Sequence, residues 1–119
     1  MGKSLKEFRQ HREKMNSKIL AAENLEIKRF FNLDGAVYRT KALDSKTKEL
    51  LGLVASTVLK CDDCIAYHMV RCAEEGVSDA EFHEALSVAL IVGGSITIPH
   101  LRYAFQILEE IRETEQNAA

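Results

Sequence analysis

The sequence predicts an all-α fold, and three observations carry that prediction. Six glycines and one proline in 119 residues leave little material for the many turns of an all-β chain. Apolar residues recur at three- and four-residue intervals along most of the chain. Serines stand where runs of this kind begin, at Ser45 and Ser78, and glycines where they stop, at Gly76 and Gly93. The length suits one domain, residues 1–119, with a helical N-terminal part to about residue 44 and a core from about 45 to 112.

From Ser4, the spacing of Leu5, Phe8, Met15 and Ile19 predicts an amphipathic helix with Lys and Arg on its other face. A second run starts near Leu25 and carries Ile27, Phe30 and Phe31, and the Asp-Gly signal within Asn32–Ala36 is expected to break it. Val37 to Leu43 reads as a further short helical turn. Ser45 is the expected N-cap of the next helix, in which Leu50, Leu51, Leu53, Val54, Ala55, Val58 and Leu59 cover nearly every side. Such a segment should be central. An interruption is expected at Lys60–Asp63, then a helix from Ile65 to Glu75 stopped by Gly76 in a left-handed conformation.

"SDAE", Ser78 to Glu81, is a capping box, and the helix it opens carries Phe82, Leu86, Ala89, Leu90 and Val92 to the Gly93-Gly94 turn. Pro99 fits only the first turn of a last helix, whose packing face is Leu101, Phe105, Ile107, Leu108 and Ile111. The tail "TEQNAA" should fray.

Charge and hydropathy exclude several functions. Residues 1–48 carry twelve Lys and Arg against six Asp and Glu, and residues 49–119 carry four against twelve. No aromatic-interleaved basic motif accompanies the positive half, so complementarity between halves or subunits is expected in place of nucleic-acid binding. The longest apolar stretch, Ala85–Ile98, falls short of the roughly 20 residues that span a bilayer. The N-terminus lacks a secretory signal, so a cytoplasmic location is expected.

The chemistry concentrates in "KCDDCIAYHMVRC", Lys60 to Cys72. Three cysteines do not make a disulfide scaffold, and in a reducing compartment a C-x-x-C pair points to redox catalysis or metal binding. A thiol entering a helix gains from the unpaired N–H groups and the positive dipole end, while Asp62 and Asp63 oppose a further negative charge. His68 lies four residues after Cys64, one turn along the same face, where its imidazole can take the thiol proton. An imidazolium needs a carboxylate behind it, and Glu49 is the best candidate, although its spacing alone reads more simply as a residue favouring the helix dipole.

Zinc could take Cys61, Cys64 and His68 with His83 or His100, but a second knuckle is missing, and inert core thiols are the plain alternative. A c-type haem site would need His directly after the second cysteine. Cys72 reads as a small buried hydrophobe, Tyr67 as a packing or pocket residue, His83 as solvated and His100 as a possible substrate contact.

The segment Glu49 to Ala104, with Glu, twelve residues, Cys-x-x-Cys, three residues, His and an S-x-x-E capped helix, resembles the alkyl hydroperoxidase D-like branch of the carboxymuconolactone decarboxylase family. The resemblance implies an all-α helical bundle that assembles as dimers, trimers or hexamers. It implies an antioxidant oxidoreductase whose Cys61 and Cys64 cycle through a disulfide with a hydroperoxide, or with a peroxiredoxin or thiol reductant partner. It makes Glu49 and His68 a proton relay to the cysteines, and no cofactor is called for. Asp63 stands where some members carry a histidine. The alternatives are a non-catalytic metal-binding or redox-sensing domain and, less in keeping with the cysteine pair, a lactone decarboxylase.

Overall fold

The computed structural model describes residues 2–118, which form six α-helices, one 3-10 turn and no strand. Helix α1 spans Leu5–Ala21, α2 Leu25–Val37, α3 Ser45–Val58, α4 Asp62–Glu74, α5 Asp79–Gly93 and α6 Ile98–Ala118, with the 3-10 turn at Ser95–Thr97. Helix α3 packs against both α4 and α5, and α4 packs against α6. Their shared core holds Leu53, Ile65, Met69, Phe82, Leu86 and Ile107, and α1 adds Leu5 and Phe8.

The caps explain most of the boundaries. Ser4 and Ser78 each close a capping box, their hydroxyls accepting the N–H of Glu7 and Glu81 while those carboxylates reach back to the cap N–H. Gly76 follows α4 at φ +82°, and the Val77 and Gly76 N–H groups bond to the carbonyls of Cys72 and Ala73. Pro99 is the second residue of α6, where the missing N–H costs no helical bond.

Five expectations are corrected. Asn32–Ala36 does not break α2, because Gly35 sits in an open part of the helix and its cost of roughly 1 kcal/mol is absorbed. Tyr38 to Leu43 are turn and bends, with the Lys48 ammonium donating to the carbonyls of Val37 and Arg39. Asp44, not Ser45, caps α3: its carboxylate accepts the Thr47 N–H at 2.7 Å, while the Ser45 N–H donates to Thr40 Oγ1. The start of α4 lies at Asp62 inside the expected interruption, because Cys61 caps it. Residues 114–118 stay helical as part of α6, with the Thr114 hydroxyl donating to the Glu110 carbonyl.

The apolar faces are less completely covered than their composition suggests. Helix α3 is central, yet Leu51 and Leu59 are exposed, as are Val92 on α5 and Phe105 on α6. Helix α2 buries none of its residues. No helix among the described residues is long and apolar enough to cross a membrane.

Candidate active site

The site is built on the turn between α3 and α4. After Leu59 the chain takes a left-handed step at Lys60, φ +60°, and the N–H groups of Lys60 and Cys61 bond back to the carbonyls of Thr57 and Ser56. This pattern closes the C-terminus of α3 in a Schellman motif, with lysine where glycine would cost less. Cys61 also serves the next helix. It is the N-cap of α4, and its sulfur accepts the Cys64 N–H at 3.2 Å. The same residue thus ends one helix through its backbone and starts another through its side chain.

Cys61 and Cys64 are joined in a disulfide, with Cα atoms 5.2 Å apart. Cys61 is half-buried and Cys64 is exposed. Cys64 faces a groove of about 610 Å³ between α1, α2 and α4, lined on its apolar side by Phe8, Met15, Ile19, Phe30 and Phe31. His68 lines the same groove, and Asp63 and Tyr67 edge it.

Behind the groove, His68 meets Glu49. The Nδ1–H of His68 donates to Glu49 Oε1 at 2.8 Å, and both side chains are buried, Glu49 to 1% exposure. With Nδ1 holding the proton, Nε2 keeps a free lone pair and can accept one. The second carboxylate oxygen of Glu49 faces Arg71 Nε at 3.4 Å, and Arg71 is anchored in turn by Glu74 and Glu75 at 2.6 and 3.1 Å. Tyr38 and Tyr67 flank the imidazole with ring centroids 5.4 and 5.1 Å away. Burial first, and the negative charge of Glu49 second, raises both phenol pKa values, so the rings stay neutral.

A glycine makes room for this pair. A Cβ on Gly52 would lie 2.6 Å from Cε1 and 2.8 Å from Nε2 of His68, so the ring rests directly on the backbone of α3. Gly52 comes one turn after Glu49 and shares its face, and Arg71 comes three residues after His68; those spacings were the available signals for both. Nothing in the sequence pointed to Tyr38 or to the left-handed Lys60.

The other singled-out residues lie elsewhere. Cys72 is fully buried, and desolvation, reinforced by Glu49, pushes its thiol from 9.0 to about 12. His83 is exposed and stacks on Phe105. His100 is not in the groove; its Nδ1 pairs with Asp62 at 2.7 Å, beside Cys61. Among the described residues no three His, Cys, Asp or Glu side chains are grouped so as to hold a metal ion.

Against known proteins, residues 27–110 match the model of the carboxymuconolactone decarboxylase family. Two crystal structures of a Thermotoga maritima protein superpose with TM-scores of 0.90 and 0.88 at 63% and 62% identity. Each covers 94% of this chain, and 98% and 95% of that protein is matched. The second is described as a carboxymuconolactone decarboxylase family protein and a candidate for the antioxidative response. A family protein of Legionella pneumophila in its apo form is similar at 27% identity, with a TM-score of 0.78 over 92% of this chain and 95% of that one. An uncharacterized protein of the cox locus in Paracoccus denitrificans is 30% identical over 82 residues, 69% of this chain and 74% of its own.

Three outcomes are expected from this geometry. Gly52→Ala should push the His68 ring off α3 and destabilise the fold by about 1–3 kcal/mol, the usual range for overpacking; a urea midpoint equal to wild type would contradict the close contact. After reduction, iodoacetamide at pH 8 should label Cys61 and Cys64 within minutes and leave Cys72 unlabelled until the chain unfolds. Because folding raises the Cys72 pKa, its contribution is constant below pH 9.0 and falls as pH rises toward about 12, so alkaline unfolding should begin earlier than in Cys72→Ala.

Proposed function

The chain belongs to the carboxymuconolactone decarboxylase family, and within it we propose a dithiol oxidoreductase that reduces hydroperoxides or the disulfide of a peroxiredoxin partner. One observation carries this reading: a buried Glu49–His68 pair stands behind an exposed Cys64 whose partner in a disulfide is Cys61. The antioxidative description of the Thermotoga relative supports it.

In the reduced form, His68 Nε2 takes the proton of Cys64, leaving a thiolate and an imidazolium stabilised by Glu49. The thiolate attacks the terminal oxygen of the hydroperoxide. The O–O bond breaks, the alcohol leaves with the proton from His68, and Cys64 becomes a sulfenic acid. The Cys61 thiol then attacks the Cys64 sulfur, water leaves and the disulfide forms, the dithiol having supplied both electrons. A second dithiol, from a small thiol or a partner protein, restores the pair by exchange. Of the two cysteines, Cys64 is favoured as the attacking thiol because it shares the groove with His68, whereas Cys61 is tied into both helix ends. A reducing compartment such as the cytoplasm suits this cycle.

The same reading has the chain assembled with copies of itself. Phe30 is 69% exposed, Ile91 83%, and Leu33, Val37, Val92 and Ile96 are also open to water, an apolar surface of the kind subunit interfaces cover.

The reaction is tested by adding one equivalent of hydroperoxide to reduced, metal-free protein and mapping the thiols lost. Rapid loss of two thiols as Cys61–Cys64 is expected. Cys61→Ser or Cys64→Ser should abolish turnover, and His68→Gln or Glu49→Gln should lower it by about 10²–10⁴, the usual contribution of a general base. Stoichiometric zinc with no turnover would support the metal-binding alternative, and lactone decarboxylation insensitive to alkylation the third. For assembly, sedimentation should give a multiple of the 13.4 kDa chain mass that Phe30→Asp lowers; a wild-type monomer would end that part of the reading.

A further inference from the structure

We propose that Arg71 is a positioning residue that keeps His68 a neutral base, by supplying the positive charge that the buried Glu49 would otherwise draw from the imidazole. The inference rests on the relay reading of Glu49 and His68 and adds a third member to it.

Glu49 is among the largest fully buried side chains of the molecule, and a carboxylate so placed must find a compensating cation. Two groups face it: Nδ1 of His68 at 2.8 Å on Oε1 and Nε of Arg71 at 3.4 Å on Oε2. If His68 were the sole counter-charge, the stable arrangement would be carboxylate and imidazolium. An imidazolium already holds the proton that the base must accept from Cys64. Arg71 removes that demand because a guanidinium stays charged at every pH of interest. Glu49 can then remain ionised beside a neutral imidazole.

The position of Arg71 fits a fixed charge rather than a mobile surface side chain. Nη1 is held by Glu74 at 2.6 Å and Nη2 by Glu75 at 3.1 Å, with Nε 3.4 Å from Glu49 Oε2. Those bonds, Glu74 foremost, raise the arginine pKa further. Glu74 is more than half exposed, so water screens it, whereas the contact to Glu49 is at the buried end.

The other ionisable groups around His68 do not substitute for Arg71. From α1, His11 lines the groove and the Arg12 guanidinium lies over the Tyr67 ring at 4.4 Å, on the groove side of the imidazole. From α2 and the turn after it come Asp34 and Tyr38, an acid and a neutral phenol. Helix α4 itself adds Asp63, Cys64 and Tyr67, none of them cationic. Among the described residues, Arg71 is the cationic side chain that meets Glu49 besides His68.

The test follows the His68 ring signal by NMR across pH in wild type, Arg71→Gln and Arg71→Lys, with His68→Gln assigning the signal among the four histidines. Arg71→Gln should raise the His68 midpoint by about 1 pH unit, at the low end of what a close charge does. The acid limb of peroxide consumption should move up with it, making turnover about tenfold slower than wild type below both midpoints and nearly unchanged well above them. Arg71→Lys, which keeps the charge, should hold the midpoint within about half a unit. A folded Arg71→Gln protein with the wild-type midpoint overturns the proposal, and so does a shift of a full unit in Arg71→Lys, a result readable even if the glutamine variant does not fold. The midpoint is measurable whether or not peroxide is consumed. A shifted midpoint in a protein that never turns over peroxide would therefore count against the proposed reaction and leave the role of Arg71 standing.

Discussion

A single buried carboxylate sets the geometry of the α3–α4 seam. Glu49 is 1% exposed, and removing an ion from water costs several kcal/mol even after relaxation. That cost is offset only by partners at close range, which fixes what may stand opposite it. His68 must present Nδ1 rather than Nε2, α4 must lie near enough for a 2.8 Å bond, and α3 must carry a glycine at 52 so that the ring can approach. Helix spacing, ring orientation and residue identity at positions 52 and 68 all follow from one charge. Taking away both His68 and Arg71 would leave Glu49 an uncompensated buried ion, so these contacts constrain the fold as well as the site.

The turn that leads into this seam ties redox state to backbone geometry. Cys61 closes α3 with its N–H and caps α4 with its sulfur, and the first turn of α4 brings Cys64 back to it. The helix end favours negative charge on sulfur by about 0.3–1 kcal/mol, while Asp62 and Asp63 in the same turn work against it. His100 from α6 takes up one of those carboxylates at 2.7 Å, which leaves Asp63 as the acid at the groove edge. The site is thus an electrostatic compromise in which helix dipole and carboxylates pull in opposite directions on the same thiols.

What the sequence made legible divides along the range of the interactions. Capping boxes at Ser78, the left-handed Gly76 and the first-turn Pro99 are local, and they were readable because their partners lie within four residues. The spacing of Cys61, Cys64 and His68 was readable for the same reason, and it placed the chemistry on one helix. Glu49 was ambiguous until the resemblance weighed in, since nothing within a turn of it says whether it faces a dipole or a histidine nineteen residues away. Asp44 took the cap from Ser45 because a carboxylate accepted the Thr47 N–H while Thr40 engaged Ser45, a choice made by a loop conformation that periodicity does not encode. The Asp-Gly signal in α2 failed because a helix tolerates one glycine in open surroundings when its neighbours keep the ladder intact.

The groove draws its lining from inside and outside the segment that matches the family. The family match runs from 27 to 110 and so includes Glu49, Gly52, Cys61, Cys64, His68 and Arg71. Helix α1, at Leu5–Ala21, lies outside that segment, yet it supplies one wall of the groove through Phe8, Arg12, Met15 and Ile19. The matched segment therefore holds the cysteine pair, the Glu49–His68 contact and the α2 wall of the groove, but not the α1 wall. The opposite wall, Phe30 and Phe31 of α2, is itself half-open to water, so any subunit that covers α2 also reshapes the entrance. The contacts of Glu49 with His68 and Arg71 lie deep in the α3–α4 seam, whereas the apolar walls of the groove are supplied by the outer helices α1 and α2.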